Sequence, residues 1–309
     1  MRNFFYSVIA ALTVYAGLSI SAAHAQTQFI VGFAQDDMSN DWRAAQVHAA
    51  AKEFAKHDNV KFIYTDAHGD VAQNISDIED LVDQGINLLI ISPRSPQAMT
   101  PVISNLYDSG IPVILLTRSV TNEKFTTFIS PDDAVIAAQA ADQVAAATGG
   151  KARVLVLQGV PTASTAIKRT QGFVDRIKAH PGLEIVDIVP ANYKRPAAIK
   201  VVQEALEKGL KFDAIYAQSD SMASGARLAL KQAGISPKSI PIIGIDYIPE
   251  ARVAIRTGEQ FASFTYPTCG VEGAEIAMQI LSGKTVPRSI EVKSQMVTRD
   301  NVDRIDTIF

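Results

Sequence analysis

From Phe29 to Val297 the chain alternates between short apolar runs and longer segments whose apolar residues fall on one helical face. Such alternation calls for parallel sheets with helices on both faces, because parallel strands are joined only by crossovers. The clearest run is Val113-Ile114-Leu115-Leu116, opened by Gly110 and Pro112 and closed by Thr117, Arg118 and Ser119. An unbroken apolar run bounded in this way reads as a strand buried on both faces. Ligands of open parallel sheets bind beyond the carboxyl ends of the strands, which is where Arg118 falls. Its guanidinium is a fixed fork of donors suited to a carboxylate, a phosphate or neighbouring hydroxyls.

The alternation runs twice. In the first round, strands are predicted over 29–34, 60–64, 88–91, the run before Thr117, and 125–129. The helices between them cover 42–57, 70–84, 96–108 and 132–147. Asn40 or Asp41 is the expected cap of the first helix, and Ala45, Ala49 and Phe54 its expected buried side. Ile75, Ile78, Leu81 and Val82 make an apolar stripe on the second. Thr148-Gly149-Gly150-Lys151 resets the pattern. Strands then follow over 153–157, 184–189, 214–217, 242–245 and 261–266, with helices over 165–180, 196–209, 220–233, 249–257 and 270–282. An extended stretch over 289–297 closes the chain. Two similar rounds predict two doubly wound α/β lobes.

The first 25 residues stand apart. Arg2, a mostly apolar stretch from Phe4 to Ile20, and Ala23-His24-Ala25 have the form of a cleavable secretory signal peptide. Without Arg2 the mature chain carries 28 basic and 32 acidic residues, about −4 in all, which argues against a nucleic-acid partner. Cys269 is the single cysteine, so an exported chain has no internal disulfide and relies on its core. A bacterial periplasm fits these features.

The groups just past the predicted strand ends are mostly hydrogen-bonding, with aromatics among them. The first round contributes Gln35, Asp36, Asp37, Asn40, Trp42, Arg43, Ser92, Arg94, Thr117 and Arg118. The second contributes Gln158, the loop 159–165 with Ser164, then Asn192, Tyr193, Lys194, Gln218, Ser219, Asp220, Asp246 and Tyr247. The histidines lack metal-ligand spacing, Ser164 has no histidine to activate it, and no phosphate-cradling or dinucleotide-binding glycine motif occurs. No cofactor and no catalysis are expected. Guanidinium, carboxylate and amide groups around flat aromatics suit a sugar or polyol: vicinal hydroxyls take paired hydrogen bonds, and the C–H face of a ring packs on indole or phenol.

The ordered motifs VGFAQ, NDWRAA, GIPVILLTRS, VLQG, YAQSDSMASGA and IGIDYIPE resemble the periplasmic sugar-binding proteins of ABC transporters, in their ribose- and galactofuranose-binding branch. The Trp42-Arg43 pair with its two alanines is more like the galactofuranose-binding member. The resemblance implies two Rossmann-like lobes joined by a three-strand hinge that closes on the ligand. It implies one lobe from 26–130 plus 266–293 and the other from 131–265 plus 294–309. Carried over by position, Trp42 and Tyr193 would stack on the sugar, while Asn40, Arg43, Arg118, Ser164, Ser219, Asp246 and Thr265 would complete the site. Asp220 reads better as a helix cap. Thr117 stands where the family usually has aspartate, which implies a missing acceptor. Ser219 replaces an asparagine, Thr265 a longer polar residue, and Ile167 the ribose branch's arginine, with Arg169 nearby. The implied partner is a membrane permease, with a monomeric carrier. A receptor feeding a chemoreceptor or sensor kinase is the alternative. A glycoside hydrolase would need facing carboxylates at about 5–10 Å, for which Asp36 or Asp37 opposite Asp246 is the only pair. A sugar-sensing repressor would need a helix-turn-helix before the first strand, and none is present.

Overall fold

A computed structural model describes residues 28–309, so the expected signal peptide lies outside the described residues. In chain order the first elements are β1 (Phe29–Gln35), α1 (Asp41–Phe54), β2 (Val60–Asp66), α2 (Val71–Asp83), β3 (Leu88–Ile91), α3 (Pro96–Asp108), β4 (Val113–Leu116) and β5 (Thr127–Ser130). Then come α4 (Asp133–Thr148), β6 (Ala152–Gln158), α5 (Ser164–Ile177), β7 (Leu183–Pro190), α6 (Arg195–Glu207), β8 (Ala214–Ala217) and α7 (Asp220–Gln232). The last are β9 (Ile242–Ile243), α8 (Pro249–Thr257), β10 (Ala262–Phe264), α9 (Gly270–Leu281), β11 (Ser289–Glu291) and β12 (Met296–Thr298).

They form two lobes, each with one six-stranded sheet. The orders are β11-β5-β4-β3-β1-β2 and β12-β10-β9-β8-β6-β7. All pairings are parallel except β10 with β12. β3, β4 and β8 are buried along their whole length, as their unbroken apolar runs require. One face of the first sheet packs with Val47, Ala50 and Phe54 of α1 and Ala274 and Ala277 of α9; the other packs with Ile78, Leu81, Met99 and Ile103 of α2 and α3. The second sheet is covered on one face by α4 and α5, and on the other by Ala198, Val202, Met222, Ala226 and Leu230 of α6 and α7. The chain passes between lobes three times, after β5, after β10 and between β11 and β12.

Two local expectations need correction. The buried side of α1 is Trp42, Arg43, Gln46, Val47, Ala50 and Phe54, one helical step from the Ala45–Ala49 stripe. Phe54 is on the buried side as expected, but Arg43 and Gln46, buried polar groups with internal partners, share that side and displace the alanines. The extended stretch at 289–297 is two short strands in different sheets, Ser289 pairing with Phe128 and Val297 with Ser263.

Candidate functional site

Both sheets point the carboxyl ends of their parallel strands at one cavity between the lobes, with ≈ 500 Å³ of empty space including the part open to solvent. Its first wall is built by Asp36 and Asp37 after β1, Trp42 and Arg43 on the opening turn of α1, Arg94 after β3, and Thr117 and Arg118 after β4. Asn40 caps α1, its Oδ1 accepting from the amides of Trp42 and Arg43, which aims both side chains at the cavity.

Asp36 organises this wall. Its Oδ2 accepts from Arg118 Nη1 at 2.7 Å and Arg94 Nη1 at 3.2 Å, and Arg43 Nε stands 3.7 Å from Oδ1. Burial would raise its pKa, but the charges of Arg118, Arg43 and Arg94 hold it below the usual value. Arg43 donates through Nη1 to Ser92 Oγ at 2.6 Å and Gln46 Oε1 at 3.2 Å. Burial and then the neighbouring Arg118 charge lower its pKa to about 10. Asp36 Oδ1 and Arg118 Nε are buried without a hydrogen-bond partner. Such groups are costly unless a ligand or water satisfies them.

The second wall is built by Thr165 and Arg169 of α5, Tyr193 and Lys194 after β7, Ser219 after β8, Asp246 after β9, and Tyr266 on the second crossing. Its side chains are aimed by backbone strain. Asn192, Tyr193, Asp246 and Tyr247 have φ of 54°, 61°, 113° and 57°, and across the cavity Thr117 has 60°. These are sparsely populated conformations for residues with a Cβ, and they cluster where binding sites store strain. Asp220, the first residue of α7, holds the Asp246 turn. Its carboxylate accepts from Tyr247 N at 2.7 Å, Ser263 Oγ at 2.5 Å and Gln260 Nε2 at 2.6 Å, and burial pushes its pKa up to about 6. It is therefore a brace for the neighbouring turn, and the cap of α7 is Ser219, whose Oγ accepts from Met222 N. Burial, more than the Arg169 charge can offset, also pushes the Asp246 carboxyl well above the carboxylate range. Arg169 donates to Asp133 Oδ1 at 2.8 Å and Gln218 O at 2.6 Å, and lies 4.2 Å over the Tyr266 ring. Burial works against its charge, but the combined pull of Asp133, Tyr266, Tyr193 and Asp246 outweighs that and raises its pKa.

Polar contacts tie the walls together. Lys194 Nζ meets Asp37 Oδ2 at 2.9 Å, Asn40 Nδ2 donates to Tyr193 O at 2.7 Å, and Trp42 Nε1 donates to Tyr266 O at 2.9 Å. The conformation described is thus one with the cleft shut.

Asn40, Trp42, Arg43, Arg118, Tyr193, Ser219 and Asp246 all line the cavity. Ser164 and Thr265 do not. Ser164 Oγ accepts from Ser119 N at 2.9 Å, and it is Thr165, one residue on, that lines the cavity with its Oγ1 3.0 Å from Tyr193 Oη. Thr265 Oγ1 accepts from Gln295 N at 2.8 Å, while Tyr266, one residue on, faces the cavity. Ser164 and Thr165 open α5, where neighbours face different sides of the helix, and Thr265 and Tyr266 are extended chain, where neighbours face opposite sides. Ile167 is 45% exposed, whereas Arg169, one turn from Thr165, is 3% exposed and shares its face. The carboxylate beside Arg118 comes from Asp36, after β1. Arg94 and Lys194, past strand ends in the sequence, also line the cavity. Among the described residues no group of histidine, cysteine and carboxylate side chains could hold a metal ion.

The profile of the periplasmic binding protein domain matches residues 31–285. The xylitol-binding protein of Mycolicibacterium smegmatis is 28% identical over 254 residues, 81% of this chain and 72% of that one. The galactofuranose-binding protein of Escherichia coli is 30% identical over 241 residues, 75% of this chain and 76% of that one. Among solved structures, the fructose-binding periplasmic domain of a hybrid two-component system superposes with a TM-score of 0.85 at 30% identity, covering 89% of this chain and 92% of that one. The chain belongs to the periplasmic binding protein family, and these relatives bind sugars or a sugar alcohol.

Proposed function

We propose that this chain is the periplasmic solute-binding component of an ABC transporter, capturing one sugar or polyol between its lobes and delivering it to a membrane permease. The observation that carries this reading is the set of three buried guanidiniums, Arg43, Arg118 and Arg169, around a cavity that also holds the carboxyl groups of Asp36 and Asp246 and the rings of Trp42, Tyr193 and Tyr266. Paired hydroxyls of a polyol take donors from the arginines and acceptors from the carboxyl groups, while an apolar C–H face lies on the rings. Charge-assisted hydrogen bonds contribute about 1.5–3 kcal/mol each, so three or four suffice for useful affinity. Closure removes water from them and strengthens them further. No bond-breaking step is needed, and the carrier acts as a monomer exported by cleavage near Ala25.

The test is a thermal-shift screen of residues 26–309 against pentoses, hexoses in both ring forms and linear polyols. A ligand at about 100 times its Kd adds about 2.7 kcal/mol of stability and raises the melting temperature. A stable protein that responds to no member of the panel overturns the reading. The two-component relative favours a second role, presenting the ligand to a sensor. Loss of uptake with intact ligand-dependent signalling on deleting the permease would separate the two.

A further inference from the structure

The turn that carries Asp246 into the cavity is strained at two successive residues. Asp246 has φ of 113° and Tyr247 of 57°, and both bear a Cβ. Such conformations persist only where the surroundings over-determine them. Left to itself, the pair would relax to ordinary backbone and carry the Asp246 carboxyl away from the cavity it lines. The backbone supplies part of the restraint: Asp246 N donates to Phe264 O at 2.8 Å, and Tyr247 N to Asp220 Oδ2 at 2.7 Å.

The Tyr247 side chain supplies another part. It does not line the cavity. It is fully buried among Ile248, Ala251, Ile255, Val297 and Val302. Its Oη donates to Val302 O at 2.8 Å and lies 3.2 Å from Ile305 O. Those carbonyls belong to the turn 299–305 that follows β12. This turn is itself fixed, with Val302 N donating to Thr298 O at 3.0 Å and Thr298 N to Asn301 Oδ1 at 2.8 Å. Its ion pairs to α8, Arg256 with Asp303 and Arg252 with Asp306, are at the surface, where such pairs contribute little. The Tyr247 hydroxyl is a buried link, and losing it leaves the Val302 carbonyl without its partner.

We infer that Tyr247 is a positioning residue for Asp246, and that through it the turn 299–305, outside the cavity, sets how tightly the cleft holds its ligand. With the phenol anchored, the strained turn stands in its binding form before ligand arrives. Without the anchor, relaxed conformers are populated, and apparent affinity falls with the fraction that remains competent. The effect on affinity rests on the sugar or polyol reading above; the hold on Asp246 does not.

The test compares Tyr247→Phe, which keeps the buried ring and removes the hydroxyl, with the unaltered mature protein. Amide hydrogen exchange is followed without ligand, and calorimetric titration is run with D-ribose, D-galactose, D-fructose, xylitol and myo-inositol. Exchange at the Tyr247 amide is expected to quicken at least about tenfold while the amides of β8 keep their protection, because the opening is local. The panel member that binds best is expected to bind about tenfold more weakly, the equivalent of one hydrogen bond. Arg256→Ala, which cuts a surface tie to the same turn, is expected to change neither readout. Unchanged exchange at Tyr247, or an equal rise in β8, overturns the inference, since a tyrosine that only stabilises the lobe would act on all its amides alike. An unchanged Kd in Tyr247→Phe overturns it too, and leaves the sugar or polyol reading standing. Binding weakened as much by Arg256→Ala also overturns the role of Tyr247. If no member binds the unaltered protein, the sugar or polyol reading falls, and exchange at Tyr247 alone decides the hold on Asp246.

Discussion

The two walls of the cleft are positioned by different physics. On the first, side chains hold one another: Asp36 is the common partner of Arg118 and Arg94, and Arg43 is bonded to Ser92 and Gln46. On the second, Arg169 is held by Asp133 and Gln218, but the backbone positions Tyr193 and Asp246. Tyr193 and Asp246 sit at left-handed turns, one packed against a glycine and the other braced by Asp220. A Cβ at Gly159 would come within 2.0 Å of the Tyr193 ring, and one at Gly244 within 1.8 Å of Asp220 Oδ1, so both placements depend on a missing side chain. A charge cluster is sensitive to losing a partner, whereas a backbone turn is sensitive to added bulk.

Substitutions separate these two kinds of support. The largest effect is expected from Arg118→Ala, which leaves the buried Asp36 carboxylate with weaker partners. Urea unfolding should show a loss of about 3 kcal/mol with an unchanged denaturant slope, and ligand binding should disappear. On the other wall, Asp220 gives a test by pH. Its pKa is raised from 3.8 to about 6, so the folded state holds its proton more tightly than the unfolded chain. Its contribution is therefore greatest below pH 4 and declines as pH rises to about 6, by about 3 kcal/mol. Asp220→Asn should flatten that decline, measured as the difference between the two proteins in urea unfolding at pH 4 and pH 7. Asp36 acts with the opposite sign: its lowered pKa gives stability that is lost as pH falls.

Smaller effects fall on affinity. Gly159→Ala should displace the Tyr193 ring and weaken ligand binding by about tenfold, at an overpacking cost of about 1–3 kcal/mol, while the Asp36 cluster stays intact. Titration of the variant by calorimetry measures this. The smallest is Lys194→Ala, which removes a half-exposed bridge between the walls to Asp37. A partly solvated pair contributes about 0.2–1 kcal/mol, so affinity should fall less than about fivefold.

The same division explains what could be read in the sequence. The order of strands and helices was legible because several buried strands are unbroken apolar runs, as at Leu88–Ile91 and Ala214–Ala217, and helices such as α2 and α3 open at a capping residue or proline. Strand-end position alone pointed to Arg118, Tyr193 and Asp246, since parallel sheets present those ends to one cleft. Partnership was not legible. That Asp36 after β1 stands beside Arg118 after β4 depends on β3 lying between those strands in the sheet, which no local pattern records. Facing was lost where polarity masks periodicity. Arg43 and Gln46 are buried on α1, and at Ser164–Thr165 and Thr265–Tyr266 both neighbours are plausible contacts, so only the backbone decides which one turns inward.

The most direct measurement uses Trp42, the only tryptophan in the chain, which lines the cavity 5.0 Å from the Arg43 guanidinium and 5.6 Å from the Tyr266 ring. Its emission should be followed while the mature protein is titrated with the sugar or polyol that most raises its melting temperature. The expected result is a saturable change in Trp42 fluorescence whose midpoint matches the calorimetric Kd, absent in Arg118→Ala and in Asp246→Ala. Ligand binding that saturates while Trp42 emission stays fixed, or that survives both substitutions, would place the ligand elsewhere and contradict a site between the lobes.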